Sequence, residues 1–145
     1  MKCFALGFGL LTLLVFSLAA TTSQKNSDEA AVTATVNNYI ESYYTGDATR
    51  MEKALHPHYL KHTISESDGR QSMTETTGLQ MVQDIRHGEG TALPASERKE
   101  EITVLDVAGD IASAKLVTSH WTDYMTLAKW NGEWKIVSVV LREKE

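Results

Sequence analysis

Cysteine is almost absent from this 145-residue chain: the single one, Cys3, stands at the very start. The remainder can hold no disulfide and offers no thiol nucleophile or thiolate metal ligand. All three phenylalanines (Phe4, Phe8 and Phe16) also fall in the first sixteen residues. An aromatic core must therefore be drawn from tyrosine and tryptophan. There is no basic cluster; 14 Lys and Arg face 19 Asp and Glu, for a formal net charge of −5. An acidic chain of this kind is a poor partner for nucleic acid, which is held by neutralising its phosphates. No glycine-rich phosphate loop occurs, since Gly88-Glu89-Gly90 sets an acid between its glycines. No nucleophile motif and no internal repeat is present.

What is there begins with a leader. Met1-Lys2-Cys3 precedes an uncharged, mainly apolar run from Phe4 to Ala20. One positive charge, an apolar stretch and small residues at Ser17-Leu18-Ala19 make the layout of a secretory signal. The expected cut follows Ala19, with Ala20 or a slightly later position as the alternative. The rival reading is an uncleaved anchor. Against it, a bilayer needs about 20 apolar residues, and polar Thr21 to Asp28 follows at once. The expectation is an exported protein, periplasmic or extracellular, with no stable membrane span after cleavage. Its parts are a signal at 1–19, a polar lead-in at 20–27 and one domain at 28–142.

From Asp28 the residues Val32, Val36, Tyr39, Ile40 and Tyr43 recur at helical spacing. Asn26 or Ser27 is placed to cap this helix, and Gly46 to end it. Asp47 caps a second helix through about Leu55, before Pro57. Leu60 to Glu66 reads as a strand with Leu60, His62 and Ile64 on its inner face, and Ser67 to Arg70 as a turn. A third helix is expected from about Thr77 to His87, with Leu79, Val82 and Ile85 inward, then a loop over 88–98. Strands follow at Glu101–Val107, Ile111 to about Trp121, Tyr124–Trp130 and Glu133–Leu141. A bend is expected at Thr122-Asp123, a tight hairpin at Asn131-Gly132, and a solvated tail from Arg142. Helices followed by an antiparallel meander make an α+β domain.

The segments Asn38 to Asp47 and Arg50 to Pro57 resemble the opening of the putative lumazine-binding family, within the nuclear transport factor 2-like (SnoaL-like) superfamily. Lys61-His62-Thr63, Met81-Val82-Gln83, Val104 to Val107 with Ala114-Lys115, and Asp123-Tyr124 through Trp134 to Val137 continue the resemblance in order. It implies a cone-shaped fold: three N-terminal helices packed in a strongly curved antiparallel sheet that leaves a cavity at its wide end. Such a fold hosts enzymes and binders alike, so it does not fix function.

The ketosteroid isomerases of this superfamily need a carboxylate base, a tyrosine and a protonated aspartic acid. The resemblance puts Tyr39 at the tyrosine position, Thr63 at the base position and about Thr126 at the aspartic acid position, so two of the three groups are missing. The expected pocket comprises Tyr39, Tyr43, His62, Trp121, Asp123 and Tyr124. Each has a plainer alternative: Tyr39 a core aromatic, His62 a neutral core histidine, Asp123 a solvated turn residue. His56, His58, His62 and His120 do not have metal-site spacing, so no metal and no cofactor is expected. The leading reading is a non-catalytic binder of a small apolar or aromatic ligand, pairing as a homodimer through its sheet. The alternatives are a cofactor-independent isomerase, dehydratase or cyclase using His62 with Tyr39 or Tyr124, and an interaction module whose cavity is filled by its own side chains.

Overall fold

In a computed structural model, backbone is described for residues 8–144 and side chains from Ser23 onward; Met1 to Gly7 of the expected signal lies outside the described residues. The first helix, α1 (Phe8–Thr45), is longer than the apolar spacing suggests. It runs through 20–27 instead of starting at an Asn26 or Ser27 cap. The reason is local: no glycine or proline occurs between Leu10 and Thr45, so nothing breaks the helix. Val32, Val36, Tyr39 and Ile40 are buried as expected.

Asp28 is a buried tie between α1 and the last hairpin. Its carboxylate accepts from Gln24 Nε2 at 3.0 Å, Lys129 Nζ at 2.8 Å and Trp134 Nε1 at 3.2 Å. Those hydrogen bonds, that of Gln24 foremost, hold its pKa down at about 2 against the opposing effect of desolvation.

Gly46 ends α1 at φ 73°, with the N–H groups of Gly46 and Asp47 both donated to the Ser42 carbonyl. Asp47 then caps α2 (Ala48–Ala54) by accepting from Arg50 N at 2.9 Å. Strand β1 (Leu55–Ser67) starts before Pro57, and its pairing slips between Leu55 and Leu60, around the residue that has no N–H to give. The turn at Asp68-Gly69 has φ of 53° and 71°, the pair of left-handed residues a tight hairpin requires. It leads into β2 (Arg70–Thr77), a strand the sequence reading did not foresee. Helix α3 (Gly78–Arg86) opens with a capping box between Thr77 and Gln80. Met81, Val82 and Ile85 face inward, while Leu79, expected inside, is 69% exposed.

After a loop containing a short helical turn at Ala95–Glu97, four strands complete the chain: β3 (Glu100–Ala108), β4 (Ile111–Thr118), β5 (Trp121–Trp130) and β6 (Glu133–Glu143). The bend expected at Thr122-Asp123 falls at Ser119-His120, where Thr118 Oγ1 accepts from the N–H groups of His120 and Trp121. Asn131-Gly132 makes the expected hairpin, with φ of 51° and 83°. The end of the chain is tied down: Arg142 donates to Glu66 at 3.1 Å, and Lys144 N to the His120 carbonyl at 2.8 Å.

The fold is α+β, with a six-stranded sheet in the order β2-β1-β6-β5-β4-β3. The sheet is curved, unclosed and mixed rather than antiparallel throughout, because β1 pairs parallel to β6. That placement inserts a hairpin between the second and third helices.

Candidate functional site

Residue parity on the strands decides what faces the helices. Thr63, Leu141, Asp123 and Leu116 are register partners across β1, β6, β5 and β4, and form one inner row. The adjacent row is His62, Val140, Tyr124 and Lys115, which by strand alternation lies on the outer face. A pocket of about 250 Å³ opens on the inner side. Tyr39 and Tyr43 of α1 line one wall, Lys61 and Thr63 of β1 another, and Trp121 of β5 a third. Thr76, Met81 and Leu141 contribute from β2, α3 and β6, while Glu89 and Glu143 stand at the rim.

The aromatic walls are held in a fixed relation. Tyr43 meets Trp121 edge to face, with ring centroids 5.4 Å apart and planes at 76°. Gly90 approaches Tyr43 so closely that a Cβ there would lie 2.5 Å from the ring, and its φ is 83°.

Behind Trp121 lies Asp123, a fully buried side chain. Its Oδ2 accepts from Trp121 Nε1 at 3.1 Å, and its Oδ1 has no hydrogen-bond partner among the described residues. Burial pushes its carboxyl up to about 7, against the opposing influence of the Trp121 hydrogen bond and the Lys61 charge. Tyr39 is raised well above the ordinary tyrosine value, first by burial and then by Tyr59 and Asp123. The buried Tyr59 hydroxyl also has no partner among the described residues.

Of the six expected pocket residues, Tyr39, Tyr43 and Trp121 line the cavity and Asp123 lies behind its wall. His62 and Tyr124 do not join them. His62 Nε2 sits 3.2 Å from Glu75 Oε1 on the outer face, and Tyr124 is 54% exposed, with Lys115 Nζ 5.7 Å from its ring centre. A His62–Tyr39–Tyr124 constellation is therefore ruled out by the alternation of β1 and β5. Thr63 and Tyr39 face the pocket as the resemblance implied, but Thr126 is exposed. The buried acid of this site is Asp123, three residues earlier.

Sequence reasoning missed Lys61, Thr76 and Met81 as lining residues. Phasing β1 from Tyr59, which is buried, would have turned Lys61 and Thr63 inward. His56 is buried and accepts the His58 N–H at 3.1 Å through Nδ1. Among the described residues, no three potential metal ligands converge, and no helix is long and apolar enough to cross a membrane.

The family model described as putative lumazine-binding matches residues 27–142. The structure is similar to a nuclear transport factor 2-like protein of unknown function from Silicibacter pomeroyi, at 19% identity and TM-score 0.64, covering 82% of this chain and 98% of that one. A second such protein, from Shewanella baltica, shares 19% identity at TM-score 0.63, with 82% and 95% covered. A ketosteroid isomerase-like protein from Erwinia carotovora atroseptica shares 12% at TM-score 0.56, with 83% and 98% covered. At these identities the likeness is one of fold. No curated protein matches the chain.

Proposed function

Because this chain belongs to the putative lumazine-binding family, within the nuclear transport factor 2-like superfamily, we propose that it is a non-catalytic binder of one small, flat, largely aromatic molecule. The observation that carries this reading is the pairing of Tyr43 and Trp121 as ring walls around a small cavity, with an Asp123 oxygen behind them that has no hydrogen-bond partner among the described residues. Apolar walls with a few aimed polar groups are the usual form of a small-molecule site. The ring named in the family's description is of this flat heteroaromatic kind. The test is a melting-temperature screen with small aromatic compounds. Ligands should stabilise the wild type and not Thr63→Phe, which places a ring inside the cavity; equal stabilisation of both proteins contradicts the reading.

A second reading, a cofactor-independent isomerase or dehydratase, is favoured by one observation. A carboxyl held near neutrality beside a buried tyrosine can give or take a proton. This version rests on Asp123 and Tyr39, not on His62.

Export and pairing belong to the same proposal. The leader ending at Ser17-Leu18-Ala19 supports secretion, and N-terminal sequencing of the mature protein should begin near Ala20. Half-exposed Tyr124 and Val140, register partners on the outer face, support a dimer formed through the sheet. Sedimentation at micromolar concentration checks it, and a strict monomer rules it out.

A further inference from the structure

Lys61 is charged, half-buried and poorly satisfied. Its Nζ lies 3.7 Å from Met81 Sδ, a thioether and a weak acceptor. None of the ion pairs among the described residues includes it. A half-buried ammonium facing sulfur gives up hydration without the compensation a carboxylate would bring.

Its neighbours point the same way. Thr76 is its register partner on β2, Thr63 is the next inward residue on β1, and both line the same cavity. The two hydroxyls add hydrogen-bond donors beside the ammonium. Asp123 offsets the charge only in part, because burial raises its carboxyl to about 7 and so leaves much of it protonated near neutral pH. The aromatic wall formed by Tyr43 and Trp121 belongs to the same cavity.

We infer that Lys61 is the anion anchor of this pocket and that the ligand is an aromatic monocarboxylate, its ring held against Tyr43 and Trp121. The inference rests on the reading of this pocket as a ligand site. Glu89 and Glu143 refine it: both are exposed at the rim, where a second negative charge on the ligand would be repelled. The cavity, at about 250 Å³, also excludes large polyanions.

The test is calorimetric titration of the protein with benzoate, neutral benzamide and dianionic phthalate, for wild type, Lys61→Met and Lys61→Arg. The wild type should bind benzoate at least about tenfold more tightly than benzamide, the scale of one charge-assisted hydrogen bond, and more tightly than phthalate. Lys61→Met should erase the preference by weakening benzoate alone, and Lys61→Arg should keep it. Where Lys61→Met does not fold, Lys61→Gln makes the same comparison. Equal binding of benzoate and benzamide, or benzoate binding unchanged by loss of the lysine, overturns the anion anchor and leaves the pocket reading standing. Binding of none of the three to the wild type overturns both.

Discussion

The indole N–H of Trp121 donates to Oδ2 of Asp123 at 3.1 Å, from two residues earlier on the same strand and the same face of the sheet. It is the one hydrogen bond to that carboxyl among the described residues, and it links the pocket wall to the buried acid behind it.

Burial of Asp123 makes the stability of the protein depend on pH. Asp123 has a folded pKa of about 7 against an ordinary 3.8. Below about pH 4 it is protonated in both folded and unfolded chains and costs nothing. Between about 4 and 7 the unfolded chain releases its proton and the folded one does not, so the contribution to stability falls as pH rises. Above 7 it levels off, after a total loss on the order of 4 kcal/mol. Asp123→Asn should flatten this slope and stabilise the protein at pH 8 by about 2 kcal/mol, since desolvating the amide offsets part of the gain. Denaturant melts at pH 4 and pH 8 measure both values; an unchanged slope in the variant contradicts the assignment.

Asp28 titrates in the opposite sense. Its folded pKa lies below its ordinary value, so its contribution is present above about pH 4 and is lost as pH falls through about 2. Acid unfolding of Asp28→Asn should lose that final step.

Trp121→Phe removes the donor while keeping a ring in the wall. The Trp121 hydrogen bond lowers the Asp123 pKa, so its loss should drive that pKa above 7. Carboxyl chemical shifts followed by NMR across pH read the change directly. A value that stays put would mean the bond carries no weight.

Gly90→Ala tests the packing of Tyr43. The added methyl would lie 2.5 Å from the Tyr43 ring and carbonyl, at a φ of 83°. The variant should lose about 1–3 kcal/mol and weaken any ligand that rests on Tyr43. Melting and binding measured on the same sample check both effects.

His62→Phe should leave ligand binding unchanged. The residue faces outward and meets Glu75 at 3.2 Å, with 28% of its side chain exposed. An outer pair of this kind is worth about 0–1 kcal/mol. A loss of binding in this variant would place the histidine in the site after all.

His62 and Tyr124 show what the sequence could and could not convey. Helix α1 beyond Asp28, the caps at Gly46 and Asp47, and the Asn131-Gly132 hairpin are set by local chemistry, and each is found where its residues indicate. Face assignment on β1 failed because apolarity marks the inner face only where a strand packs on a core. There the inner face lines a pocket, so Lys61 and Thr63 turn inward while His62 and Ile64 occupy the alternate positions. On β5 the inward phase is apolar, as buried Met125 and Leu127 show, and Tyr124 was misplaced because a bend was expected at Thr122-Asp123, inside the strand. The strand β2, with nearly every residue exposed, carries no hydropathy signal at all. The parallel β1–β6 pairing is likewise a tertiary contact with no local mark.

Native mass spectrometry decides whether this cavity holds a small molecule. The full 145-residue chain would be expressed, purified without denaturation, and compared with Thr63→Phe. The prediction is an added mass of one small non-covalent ligand, carried by the wild type and released on gentle activation, and absent from the filled-cavity variant. A wild type that carries no added mass and takes up none from a panel of small aromatics contradicts the claim, as does an added mass retained equally by Thr63→Phe.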